Sequence, residues 1–180
     1  MKHNFFILLL IPLLLSCEAE PRRAILRKSS SGIKKSILLN KNLIANQESD
    51  FRKIMKQDSL NNYLASDFGF WYKINYKSKE NYFPKNGDEI IYTYEVFSLN
   101  DKIIYNNKEV GIQKYVTDNQ EIVEGLREGL KLMNIGDNIT FLFPSHKVFG
   151  YLGDKNKVGI NQPLIYKVQL IKINKKNESN

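Results

Sequence analysis

From Gly69 onward apolar and polar side chains alternate, and the alternation breaks into strands. Phe70 to Tyr76 reads as one strand, and Glu89 to Phe97 as a second that places Ile90, Tyr92, Tyr94 and Val96 on one face. Asn100-Asp101 turns the chain into Ile103-Ile104-Tyr105, and Tyr115-Val116 reads as a short strand. Ile139, Phe141 and Phe143 alternate toward a core, as do Leu164, Tyr166, Val168 and Leu170 along the last strand. Between those two strands, Ser145 to Pro163 is a loop rich in glycine and polar residues.

Two stretches keep a helical period instead. Glu121 to Met133 aligns Ile122, Leu126, Leu130 and Met133; Asn119 or Asp118 is placed to cap its start, and Gly136 to close its end in the left-handed conformation. Ala45 to Leu64 brings Phe51, Ile54, Met55 and Leu60 near helical spacing and turns Glu48, Asp50, Arg52, Lys53 and Lys56 outward. This earlier helix is expected to pack on the body or to space it from a membrane, and no site is expected on it. Many antiparallel strands with one amphipathic helix predict an α+β domain, a sheet wrapped around a short helix.

Charge separates the chain into regions. Seven basic residues and no acidic one lie between Pro21 and Ile44, whereas the body is almost neutral in a chain of net charge +8. The basic stretch can lie against anionic headgroups or serve as a solvated tether. It lacks interleaved aromatic residues, which argues against nucleic acid as a partner. Phe5 to Leu15, behind Lys2 and His3, is too short for a span of about 20 apolar residues and suits the apolar core of an export signal. The resulting layout is a signal over 1–16, a basic tether over 17–44, a helical extension over 45–65, a domain over 66–174 and a polar tail over 175–180, the last expected to fray.

Cys17 is the only cysteine, so no intramolecular disulfide or redox pair is expected. His3 and His146 are isolated, and neither a metal nor a cofactor is expected. Leu14-Leu15-Ser16-Cys17 resembles a bacterial lipobox. That resemblance implies cleavage before Cys17, acylation of its thiol and attachment to membrane lipid. Glu18, in place of an aspartate, favours the outer membrane, with the domain facing the periplasm.

Four blocks carry a second resemblance. They are Pro84-Lys85-Asn86-Gly87-Asp88 leading into the strand of Tyr94; Ile122-Val123-Glu124-Gly125-Leu126 through Gly136-Asp137; Phe143-Pro144 followed by Phe149-Gly150; and Gly159 to Tyr166 with the strand ending at Ile173. In this order and spacing they resemble the FKBP-type peptidyl-prolyl isomerases. With the lipobox, Arg22-Arg23 and Gly69-Phe70-Trp71-Tyr72, the chain further resembles the gliding-motility-associated lipoprotein members of that family in Bacteroidota.

The resemblance implies an apolar cup for a proline ring and a membrane-anchored isomerase acting on proline-containing exported polypeptides. A gliding or secretion machinery is a further implied partner. Carried over by position, the wall is Tyr94, Ile104, Ile122, Val123, Phe149, Val158 and Tyr166, with Leu126 as floor and the Val123 N–H as donor to the substrate carbonyl. A register slip of one residue would put Tyr105 in place of Ile104. Three departures from the family pattern predict a slower enzyme: Leu126 for the tryptophan floor, Phe149 for a tyrosine, and Ile104-Tyr105 for a Phe-Asp pair that supplies a buried carboxylate. They leave open a chaperone or scaffold on the same fold that binds proline-containing segments with little turnover, or a structural subunit with a vestigial cup. Glu124 and Glu128, four apart on the helix, are expected to be solvated.

Overall fold

The computed structural model describes residues 30–58 and 62–176. The export signal, Cys17, the basic tether as far as residue 29 and Leu60 lie outside the described residues. The chain divides into two units, Met1–Ile37 and Leu38–Asn180. The described part of the first is the opening of helix α1 (Ser30–Gln57). The second unit holds the rest of α1 and everything that follows.

Seven strands form one antiparallel sheet: β1 (Leu64–Ala65), β2 (Trp71–Tyr76), β3 (Glu89–Phe97), β4 (Ile103–Tyr105), β5 (Gln113–Val116), β6 (Asn138–Phe143) and β7 (Leu164–Asn174). Their spatial order is β1-β2-β6-β7-β3-β4. The long strand β3 pairs with β7 along one edge and shares its other edge between β5 at Glu89–Tyr92 and β4 at Val96 and Phe97. Helix α2 (Asn107–Val110) sits in the β4–β5 connection, and α3 (Glu124–Leu130) between β5 and β6.

Alternation gives the sheet two covered faces. Inward, Ile90, Tyr92, Val96, Ile139, Phe141, Phe143, Leu164, Tyr166 and Val168 join Leu126, Leu130 and Met133 in the main core. Outward, Phe97, Leu142 and Ile165 form a second cluster around Phe51 of α1, which is fully buried. The C-terminal half of α1 thus packs on the domain. Trp71 Nε1 donates to Glu48 Oε2 at 3.0 Å, so Glu48 does not simply face water.

Helix α3 approaches the sheet through glycine. A Cβ at Gly125 would stand 2.7 Å from Phe143 Cδ1, and one at Gly129 would stand 3.0 Å from Phe141 Cε1. The two rings stack on each other at 5.3 Å, and Phe70 meets both edge-on. Only side-chain-free positions let the helix backbone settle on that aromatic floor.

Several element boundaries differ from those expected. Helix α1 begins fifteen residues before Ala45, inside the segment read as tether, and ends at Gln57. A helix with no acidic residue in its first turn offers little terminal signal in the sequence. Helix α3 is confined to Glu124–Leu130; its N-cap is Val123, without a side-chain bond, and its C-cap is Lys131. Asp118 instead pairs with Lys131 at 2.6 Å. Gly136 does take a positive φ of 89°, but in a turn whose N–H bonds Leu170 O at 2.8 Å. Glu128 is nearly buried between Arg127 and Lys131 rather than solvated. The polar tail is held at its start, where the Lys176 N–H donates to Asp88 Oδ1 at 2.8 Å.

Candidate active site

Four aromatic side chains from distant parts of the chain enclose one recess. Tyr94 comes from β3, Tyr105 from the end of β4, Phe149 from the β6–β7 loop and Tyr166 from β7. With Val96, Glu109, Val110, Gln113 and Asp154 they line a cavity of about 290 Å³. Strand register sets the wall: Val96 lies opposite Tyr166 and Tyr94 opposite Val168, which makes Tyr94 and Tyr166 diagonal neighbours on one face. Their rings stack at 5.3 Å, Tyr92 stacks on Tyr94 at 6.0 Å, and Phe143 meets Tyr166 edge-on at 5.4 Å. The wall is therefore rigid, because each ring is held by the core behind it.

The phenols of Tyr94 and Tyr166 are neutral donors. Burial pushes both above the ordinary phenol range, so both keep their protons at neutral pH. Neither hydroxyl is bonded to a protein group among the described residues. The Val123 N–H is likewise unengaged there, while its carbonyl accepts from the Arg127 N–H at 3.1 Å.

Tyr105 has a different environment. Its hydroxyl donates to Asp154 Oδ2 at 2.5 Å, and Asn156 Nδ2 donates to the same hydroxyl at 3.3 Å. Asp154 Oδ1 accepts the N–H groups of Asn156 and Val158, both at 2.8 Å. Burial would raise Asp154, but the Tyr105 hydroxyl and the loop N–H groups outweigh it and hold the carboxyl below the usual carboxylate range. Tyr105 is raised by burial and further by its bond to Asp154. Lys157, paired with Glu109, lies 4.8 Å from the centre of the Tyr105 ring.

The expected site residues fall into three groups. Tyr94, Tyr105, Phe149 and Tyr166 line the cavity together. Ile104, Ile122 and Val123 are partly buried against the same core without lining it. Leu126 and Val158 are 3% and 4% exposed and belong to the core behind the cavity lining. Register settles which β4 residue faces inward: Val96 pairs with Tyr105 and Phe97 with Ile103, and Ile104 falls in the irregularity between them. Tyr105 therefore takes the cavity position. β4 carries no carboxylate, but the half-buried Asp154 brings one to the cavity from the loop.

Asp154, Val96, Glu109, Val110 and Gln113 were not expected at the cavity. Helix α2, which brings Glu109 and Val110, had a legible signal. Asn106 accepts the Glu109 N–H at 3.0 Å through Oδ1, a cap of the kind that Asn places before a first turn. A larger recess of about 550 Å³ lies between α1 and the outer face of the sheet. Charged Lys73, Asp58, Asp101 and Lys167 line it beside Ile54, Leu99, Leu142 and Ile165, with Tyr63 its one aromatic side chain among the described residues.

A sheet curled on a short helix, with an aromatic recess beside it, defines the class. The family model for FKBP-type peptidyl-prolyl cis-trans isomerases matches residues 80–171, just over half of the chain, and the protein belongs to that family. It is 29% identical over 105 residues to a probable FKBP-type peptidyl-prolyl cis-trans isomerase, FkpA, of Neisseria meningitidis serogroup B. That match takes in 58% of this chain and 38% of the relative, so the chain spans well under half of the relative's length. The N-terminal domain of FKBP42 from Arabidopsis thaliana has the same fold: TM-score 0.58 at 16% identity, over 63% of this chain and 93% of that one.

Proposed function

We propose that this protein is a peptidyl-prolyl cis–trans isomerase that acts on exported polypeptides while anchored to lipid through Cys17. The observation that carries the reading is the aromatic cavity of about 290 Å³ in a chain of this family. Rotating an amide costs about 18–20 kcal/mol because resonance is lost when the bond twists. X-Pro bonds populate both isomers yet exchange over tens to hundreds of seconds. A catalyst with no nucleophile can act by preferring the twisted, less polar amide to the planar, hydrated one, and each 1.36 kcal/mol of that preference gives about tenfold in rate.

The cavity is suited to that task. Tyr94, Phe149, Tyr166 and Val96 receive the pyrrolidine ring and exclude water. The Tyr94 hydroxyl lines the cavity and has no partner among the described residues, so it can meet the substrate carbonyl without breaking a bond. The Val123 N–H, also unengaged among the described residues, lies beside the cavity lining and is the second donor that the family resemblance implies. No step requires a cofactor or metal. The acylated cysteine, the outer-membrane location facing the periplasm and a link to gliding or secretion machinery complete the reading. They rest on the lipobox and on likeness to the Bacteroidota lipoprotein members.

A second reading, a chaperone or scaffold that grips proline-containing segments, is favoured by one observation. The hydroxyl at Tyr105 is committed to Asp154, and Phe149 has none to offer. One experiment separates the two: protein lacking residues 1–17 is added to a proline tetrapeptide and, separately, to an unfolded protein client. Accelerated cis–trans exchange supports the isomerase, whereas client binding without acceleration supports the chaperone. Cys17→Ser should release the full chain from membranes, and retention there would contradict the lipid anchor.

A further inference from the structure

Gln47 lies on helix α1, outside the matched family region, yet it is 4% exposed, and among the described residues its side chain bonds only to the loop between β6 and β7. Its Oε1 accepts the Ser145 N–H at 3.0 Å and pairs with the Ser145 hydroxyl at 3.3 Å. Its Nε2 lies 2.9 Å from Ser145 Oγ and donates to Asn161 O at 3.0 Å. Ser145 opens the loop, and Asn161 lies two residues before Pro163 at its end. One side-chain amide therefore holds both feet of the segment that carries Phe149 and Asp154 into the cavity.

The loop has little regular structure of its own to hold this shape. It consists of two single turns, Ser145–Lys147 and Gly150–Leu152, and takes positive φ at Gly150, Gly153, Lys155 and Asn161. A direct tie between its arms runs from the Asn161 N–H to Gly150 O at 2.8 Å. Asn161 is thus gripped on both sides, by Gly150 through its N–H and by Gln47 through its carbonyl. Phe51, one helical turn further along α1 and fully buried against Leu142 and Ile165, fixes the helix that presents the amide. An amide suits this position because it both donates and accepts. A carboxylate could accept from Ser145 but could not donate to Asn161.

We infer that Gln47 is a positioning residue for the cavity: it sets the loop that carries Phe149 and Asp154, and makes the C-terminal half of helix α1 part of the isomerase unit. The inference rests on the isomerase reading for its effect on rate, but its effect on the loop stands apart from that reading. Displacing a cavity wall by about 1 Å is enough to cost up to a hundredfold in rate.

The test uses full-length protein with Gln47→Ala and Gln47→Glu. It reads kcat/KM on a proline tetrapeptide, amide hydrogen exchange and melting temperature. Gln47→Ala is expected to lower kcat/KM by about ten- to a hundredfold well below its melting temperature. It should also speed exchange at Ser145 and Asn161 more than at strand amides. Gln47→Glu should keep protection at the Ser145 N–H, which a carboxylate still accepts, and speed exchange at Asn161, whose own N–H bond to Gly150 O loosens once its carbonyl is no longer held, a split that general loosening of the helix would not give. If the parent is active, an unchanged kcat/KM in Gln47→Ala overturns the inference. If the parent is inactive the isomerase reading fails, and the exchange pattern decides for or against the clamp. Exchange that rises evenly through the domain in both variants overturns it.

Discussion

The Tyr105 hydroxyl and the Asp154 carboxylate meet at 2.5 Å although 49 residues separate them, and both side chains line the cavity. This bond ties strand β4 to the β6–β7 loop beside the place where the proline ring would sit. Tyr105→Phe keeps the ring and removes the tie. It is expected to lower stability by about 1 kcal/mol, the usual net value of one hydrogen bond, and to speed amide exchange at Asn156 and Val158. Urea denaturation and exchange measurements check both.

Phe149 offers the opposite experiment. It lines the cavity without a polar atom, so Phe149→Tyr adds a hydroxyl there. If the twisted amide gains one more hydrogen bond than the planar one, kcat/KM rises by roughly tenfold. A gain that comes wholly from a lower KM, with kcat unchanged, would mean that the hydroxyl serves binding alone.

Helix α3 depends on its glycines for closeness to the sheet. Gly125→Ala puts a methyl group 2.7 Å from the Phe143 ring, which is itself wedged against Phe141, Phe70 and Tyr166. The ring cannot yield cheaply, and a loss of about 1–3 kcal/mol is expected in chemical denaturation.

How far the sequence disclosed this arrangement depends on the range of the interaction. Period-two patterning placed β3, β6 and β7 and their inward residues, because alternation is a local property of an extended chain. The resemblance to the FKBP-type isomerases, carried over by position, grouped Tyr94, Phe149 and Tyr166, and these three line one cavity. The helical period placed Leu126 with Leu130 and Met133 on the buried stripe, whereas the close approach of Gly125 and Gly129 to Phe143 and Phe141 depends on tertiary packing that no local pattern reveals. The Tyr105–Asp154 bond and the Gln47 clamp span 49 and 98 residues, and each joins a polar group of unremarkable type on a strand end or helix to one in the β6–β7 loop. Helix α1 was started too late because its first turns combine lysines with exposed isoleucines and leucines, a pattern without a clear buried stripe.

Acid should unfold the domain through its buried carboxylates. Asp137, with its side chain fully buried, accepts from Lys77 Nζ at 2.7 Å and from the Ser78 and Asn134 N–H groups at 2.8 Å each. Burial would raise it, but those three bonds prevail and hold it below the usual carboxylate range. Asp88 is held low in the same way, burial being outweighed by the Lys85 and Lys176 N–H groups and the Tyr82 hydroxyl. A carboxyl depressed in the folded state contributes its full stability above the unfolded-state pKa, about 4 for aspartate, and loses it as pH falls toward the folded value. Denaturation midpoints should therefore show little change from these groups between pH 7 and 5 and drop below about pH 4. Asp137→Asn should cost about 2–3 kcal/mol at pH 7 and flatten that acid limb.

Tyr94 is the most direct probe of the central claim, since its ring is held by Tyr92 and Tyr166 while its hydroxyl has no partner among the described residues. The measurement is cis–trans exchange of a proline tetrapeptide with parent protein and with Tyr94→Phe, at equal folded concentration. The account predicts catalysis by the parent and a fall of roughly tenfold or more in kcat/KM when the hydroxyl alone is removed. A parent that leaves the uncatalysed rate unchanged, or a Tyr94→Phe protein as fast as the parent, would contradict it.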